Sequence, residues 1–218
     1  ESFRNLATSI RFLNISDQET KVFLITSTKQ GEGKTTITSL LAKTFVELGK
    51  KVLLVDADMR RPSLNKFFEK DNIIGLSNLI TDNKVILKNI VQKTAFNNLD
   101  IITAGIRPPD PVFLLSSEKM KSIITELKNE NYDLIIFDAP PSLGLSDAQL
   151  LSEFSDLILY IVNMEDTNKK SFSKTIKKFY KKGNYAFGTV SNRSQIKNIN
   201  YANYAYNYSY NQNLYKYY

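Results

Sequence analysis

The 218-residue chain contains no cysteine, no histidine and no tryptophan. Without cysteine there is no disulfide framework, no thiolate metal site and no cysteine nucleophile. Without histidine there is no imidazole-bound zinc and no Ser-His or Cys-His pair. Chemistry at a site must therefore use carboxylates, Lys, Arg, hydroxyls or a bound ion. Long apolar runs are also missing: none approaches the roughly 20 residues that cross a bilayer. No signal-peptide pattern is present.

Negative charge is absent from the whole C-terminal quarter. Asp166 is the last acidic residue, and the stretch 167–218 carries ten basic side chains and no acidic one. Residues 1–166 carry 19 basic and 22 acidic side chains, so a body at −3 is joined to an end at +10. Eight of the 12 tyrosines lie between Tyr201 and Tyr218. A uniformly basic protein would suggest nucleic acid as partner. A near-neutral body with a basic, Tyr-rich end suggests one globular domain plus a segment with its own task.

Continuous apolar runs at Val22–Ile25, Val52–Val55, Leu99–Ile102, Leu134–Phe137, Leu157–Val162 and Tyr185–Val190 read as strands. Runs of this kind fit strands covered on both faces, hence a mainly parallel sheet between helices. Helices are expected over Lys34–Leu48, Ser63–Phe68, Ser116–Asn129, Ala148–Phe154 and Thr167–Lys182. The βαβ rhythm predicts a three-layer α/β domain over residues 1–194. Pro108, Pro109 and Pro111 mark a rigid loop after the third run. From residue 195 apolar periodicity collapses, and 195–218 reads as a flexible tail.

The segment Ser27-Thr28-Lys29-Gln30-Gly31-Glu32-Gly33-Lys34-Thr35-Thr36 follows a strand and opens a helix. Gly31 and Gly33 let backbone N–H groups curl around phosphate oxygens, and the helix N-terminus adds its positive end. Lys34 can reach the outer phosphates, and the Thr35 hydroxyl can bind Mg²⁺. Lys29 through Thr36 is therefore the expected nucleotide cradle, with Thr28 where a glycine usually stands. Lys29 is either a second phosphate contact or a solvated loop lysine.

Asp56-Ala57-Asp58-Met59-Arg60 ends the second run, where the strand C-termini of a parallel sheet line the ligand crevice. Two carboxylates beside a triphosphate call for a cation, so Mg²⁺ is implied. One can hold the metal and the other can orient a hydroxyl and accept its proton. The plainer alternative is a turn in which Arg60 pairs with an Asp. Leu134–Phe137 followed by Asp138-Ala139-Pro140 places another Asp at a strand end, suited to a water ligand of Mg²⁺.

Taken together, these motifs resemble the bacterial tyrosine kinases (BY-kinases) of the CpsD/CapB/Wzc type, which serve capsular and exopolysaccharide synthesis. The resemblance extends to Arg107-Pro108-Pro109-Asp110-Pro111 with Leu114-Leu115-Ser116-Ser117, and to the tyrosine cluster. It implies a P-loop NTPase fold of the MinD/ParA-like branch, with ATP and Mg²⁺ as cofactors. Lys34 and Thr35 would serve phosphates and metal, and Asp58 and Asp138 the metal. Asp56 would activate the attacking tyrosine hydroxyl, the division between Asp56 and Asp58 being open, and Arg60 matches the family's motif arginine. Tyr201, Tyr204, Tyr206, Tyr208, Tyr210, Tyr215, Tyr217 and Tyr218 would be phosphoacceptors, modified between subunits.

The resemblance further implies a location at the cytoplasmic face of the plasma membrane through a transmembrane adaptor, fused or separate, and tyrosine-phosphorylated protein substrates. It implies no nucleic-acid partner. The rival is a MinD/ParA-like ATPase switch without tyrosine acceptors. At the N-terminus, Glu1 and Arg4 resemble the family's oligomerisation helix, with Ala7 where a second Arg belongs and Arg11 one turn on. A docked amphipathic helix is the alternative. Lys169, Lys170, Lys174, Lys177, Lys178, Lys181 and Lys182 line a further helix. They read as a solvated face, or as a site for anionic lipid or phosphorylated tails.

Overall fold

The computed structural model describes residues 1–13, 21–179 and 186–194. The tail expected over 195–218, with all eight of its tyrosines, lies outside the described residues, as do Tyr180, Lys181, Lys182 and Tyr185. Chain order is α1 (Ser2–Arg11), β1 (Lys21–Ser27), α2 (Lys34–Glu47), β2 (Val52–Asp56), α3 (Leu64–Phe67), α4 (Leu76–Thr81) and α5 (Leu87–Ile90). It continues with β3 (Val91–Lys93), β4 (Leu99–Ile102), α6 (Pro111–Leu115), α7 (Glu118–Asn129), β5 (Leu134–Asp138), α8 (Asp147–Ser152), β6 (Leu157–Asn163), α9 (Lys169–Ile176) and β7 (Ala186–Asn192).

The strands form one sheet in the order β3-β4-β2-β5-β1-β6-β7, parallel except at β3. Alternate residues of each strand enter opposite layers. Val22 and Leu24 join one apolar cluster with Leu53, Val55, Ile158 and Tyr160. Phe23 and Ile25 join the other with Val52, Leu54, Leu157 and Leu159. Every residue of β2, β4, β5 and β6 is buried, which is why these runs lack polar alternation. Each buried aliphatic side chain contributes about 1.5–3 kcal/mol relative to exposure.

Three departures from the sequence reading have local causes. The proline-marked stretch is not all loop: Pro111 occupies the first turn of α6, where its missing N–H costs nothing, and Asp110 caps that helix by accepting from the Val112 and Phe113 N–H groups. The edge strand β3 pairs antiparallel with β4 over three partly exposed residues, too few to show periodicity. The helix expected over Thr167–Lys182 is shorter, capped by Asn168 and ending at Ile176. There the bonds from Lys178 N–H to the Thr175 carbonyl and from Phe179 N–H to the Ile176 carbonyl tighten the last turn.

Helix α1 packs against α2. Its Ala7 is fully buried, so an arginine at this position would have to displace the helix, while Arg4 pairs with Glu47 of the same chain at 3.7 Å. Among the described residues no helix is long and apolar enough to cross a membrane.

Candidate active site

Because β1 lies between β5 and β6, its C-terminal end opens at the middle of the sheet edge. There the chain must turn sharply into α2, and Gly33 makes that turn at φ +87° and Gly31 at φ +84°. A Cβ on Gly31 would meet no atom within 4 Å, which leaves an open cradle at the helix N-terminus. The Thr28 hydroxyl is buried in this loop without a hydrogen-bond partner among the described residues. The loop base is stitched to the segment after β5: Thr26 donates to the Pro140 carbonyl, and the Ser142 and Leu143 N–H groups donate to the Ser27 and Thr28 carbonyls.

Asp138, at the tip of β5 and fully buried, is the centre of the site. Lys34 Nζ lies 2.6 Å from its Oδ1, and the Thr35 hydroxyl donates to Oδ2 at 2.6 Å. The Ser63 hydroxyl is 2.9 Å from Thr35 Oγ1. Lys34 Nζ also lies 4.0 Å from Asp58. Parallel register places Asp56 directly beside Asp138. Three buried carboxylates thus share one ammonium. Burial, followed by the Asp138 charge, pushes the Asp56 carboxyl up to about 7. Burial also raises Asp58, opposed chiefly by Lys34.

The two carboxylates of the second motif differ in exposure to solvent. Asp58 lines a cleft of about 500 Å³, with Lys29, Gln30, Gly31, Gly33, Lys34, Thr35 and Thr36 on one side and Arg60, Pro141 and Leu143 among the rest. Asp56 lies beneath it. Its Oδ1 accepts from the Asp58 N–H at 3.1 Å, and its Oδ2 accepts from the Ser63 and Leu64 N–H groups at 3.0 Å each. Asp56 therefore orders the loop into α3. Arg60 makes a forked pair with Asp147, at 2.9 and 3.2 Å. That pair raises the guanidinium above its ordinary pKa.

The donor set matches a hard divalent cation shared with phosphates. Thr35, Asp58 and Asp138 offer only oxygen, and Mg²⁺ characteristically takes one or two carboxylates and completes its shell with water and phosphate. Among the described residues no group of three or more acidic side chains forms a self-sufficient metal cage.

Comparison with known proteins decides the family. The family described as "AAA domain" matches residues 20–188. The putative tyrosine-protein kinase CapB of Staphylococcus aureus is 36% identical over 202 residues, 92% of this chain and 87% of CapB. The chain belongs to the bacterial tyrosine-protein kinase family. The kinase domain of the Escherichia coli tyrosine kinase Etk superposes with a TM-score of 0.81 at 30% identity, over 91% of this chain and 76% of that one. The septum site-determining protein MinD of Pyrococcus horikoshii, complexed with Mg-ADP, gives 0.67 at 27% identity, over 81% of this chain and 71% of that one. The fold is thus the P-loop NTPase fold that bacterial tyrosine kinases share with MinD.

In this member of the tyrosine kinase family the expected loop residues line the cleft with one exception. Glu32 is buried and turned away: its carboxylate accepts from the Lys29 N–H and from the Thr167 hydroxyl. Lys29 pairs with Asp166, donating to both its carboxylate and its carbonyl. Asn192 donates to the Glu32 carbonyl at 2.8 Å, and a Cβ on Gly33 would come within 2.3 Å of its amide nitrogen. Asp147, Ser63, Asp166, Thr167 and Asn192 were not legible as site residues. For Asp147 a signal exists, an acid in the first turn of α8. The others are single polar residues whose partners lie far away in the chain.

Proposed function

We propose that this chain is an ATP- and Mg²⁺-dependent protein-tyrosine kinase. Its own tail tyrosines, Tyr201 to Tyr218, are the acceptors, reached between copies, and the activity regulates capsule or exopolysaccharide synthesis and export. The observation that carries the reading is the convergence on Asp138 of Lys34 and Thr35, with Asp58 opening onto the same cleft. Family membership supports the choice of tyrosine as acceptor.

The loop from Lys29 to Thr36 binds the triphosphate, with backbone N–H groups from Gly31 onward and the Lys34 ammonium meeting its charge. Thr35, Asp138 and Asp58 would hold Mg²⁺, which would neutralise charge developing on the phosphates. Asp58 faces the cleft and is the carboxylate able to meet an incoming hydroxyl. Asp56 acts through the loop it orders. Arg60, fixed by Asp147, presents positive charge at the cleft wall. Pro140, Pro141 and Leu143 give the cleft an apolar wall on one side. Lys29 joins the phosphate contacts once released from Asp166. We also assign a membrane adaptor as activator and tyrosine-bearing proteins as further substrates.

The test is incubation of the full chain with Mg–ATP and mapping of phosphate by mass spectrometry, beside Lys34→Ala. Phosphotyrosine on the tail that disappears in the variant is the expected result. ATP hydrolysis without any phosphotyrosine would instead establish a MinD-like switch, the reading that the shared fold and Lys29 favour second.

A further inference from the structure

Helix α9 and the turn that closes it carry a cluster of five lysines. Lys169, Lys170, Lys174 and Lys177 are exposed, and Lys178 is half-buried. Among the described residues none of the five lies within ion-pair distance of an acidic side chain. The first turn of α9 contains no acidic residue. Lys169 and Lys170 there add to the positive end of the helix dipole, an arrangement that costs stability unless an anion is near.

The position of this helix gives the charge a use. Its N-terminal end touches the nucleotide loop, through Thr167 to Glu32. Its C-terminal end touches the segment after β5, through Lys178 Nζ to the Ser142 carbonyl at 3.5 Å. The helix thus spans the flank of the phosphoryl-transfer cleft. The last described strand ends nearby: the Met164 N–H donates to the Asn192 carbonyl at 3.0 Å, so β7 ends level with β6, at the start of the connection that leads into α9. From Ser194 the seven residues to Tyr201 can span up to about 24 Å. The eight residues of α9 rise only about 12 Å.

We propose that the lysine face of α9 is a docking site for the chain's own tail after its tyrosines are phosphorylated. The tail as synthesised has no acidic residue, so like charge keeps it off the helix. Each phosphotyrosine adds about −1.5 to −2 of charge and oxygens that accept strong hydrogen bonds from ammonium groups. The docking is therefore conditional on modification. It draws the product tail to the flank of the cleft. The proposal rests on the kinase reading for the physiological source of phosphate, but its test does not.

The full chain is phosphorylated on its tail by an unrelated tyrosine kinase, and lysine acetylation rates are followed by mass spectrometry. Lys170, Lys174 and Lys177 are expected to react about tenfold more slowly than in the unmodified chain, with the exposed Lys84 and Lys88 unchanged. Protection should persist on dilution by about a hundredfold, because the tethered tail is at high effective concentration, and should fade at high salt. Unchanged rates on α9 overturn the proposal. Protection lost on dilution also overturns it, in favour of a second copy's tail. Binding of the unmodified chain to phosphatidylserine vesicles, with no protection on phosphorylation, assigns the face to membrane instead. Absence of self-phosphorylation with Mg–ATP would refute the kinase reading and leave these outcomes readable.

Discussion

Replacing Lys34 with methionine tests the electrostatic account of the site most directly. The variant keeps the length of the side chain and removes its charge. Lys34 and Asp138 form a buried pair, with side chains 9% and 0% exposed at 2.6 Å. Asp58 and Asp56 lie beside it with no other cation in ion-pair range among the described residues. Breaking a buried pair from one side leaves an uncompensated charge and costs about 3–5 kcal/mol. For a chain of this size that lowers the melting temperature by roughly 6–20 °C. The loss should depend on pH. The Asp56 carboxyl, raised from 3.8 to about 7, contributes stability that is fully present below 3.8 and is lost as pH rises through 7. Lys34 lowers both Asp56 and Asp58, so its removal raises both further and extends that loss to higher pH. Thermal unfolding without nucleotide should show a larger deficit near about pH 8 than near about pH 5. A deficit equal at both pH values would refute the reasoning.

Gly33→Ala should weaken nucleotide binding about tenfold or more, read by fluorescent-nucleotide titration. The φ of +87° costs an L-residue about 1–2 kcal/mol, and the new Cβ would strike Asn192. Arg60→Ala leaves Asp147, 1% exposed, without its forked partner and should cost about 1–3 kcal/mol in urea unfolding, with kcat falling alongside. A stability loss with full kcat would remove Arg60 from the proposed site. Tyr160→Phe removes the hydroxyl that bridges Ser142 and Thr175 at 2.7 Å on each side, and should cost about 1–2 kcal/mol in the same assay.

The sheet was legible because a parallel strand buried on both faces has to be apolar throughout, and Leu134–Phe137 or Leu157–Val162 can be little else. The nucleotide loop was legible because its requirements are local: two glycines, then Lys34 and Thr35 on the first turn of a helix. What escaped was either short or non-local. The strand β3 has three residues, and α6 hides behind prolines whose helix-starting role shows only through the Asp110 cap. Asp56 and Asp58 looked equivalent on an extended chain. The backbone bonds that bury one and leave the other at the cleft come from Ser63 and Leu64, positions that sequence spacing alone does not bring back.

The contacts around Glu32 tie the glycine loop to the β6–α9 connection and the end of β7. The carboxylate of Glu32 holds Thr167, its carbonyl holds Asn192, and the neighbouring Lys29 holds Asp166. Those three partners come from the β6–α9 connection and the last residue of β7, both C-terminal to every nucleotide motif. Asp166 is also the last acidic residue before the all-basic end. The proposed release of Lys29 toward phosphate would leave that carboxylate unpaired beside the lysines that follow it in α9. The charge balance at the start of α9 would then change with occupancy of the loop, at a point beside β7.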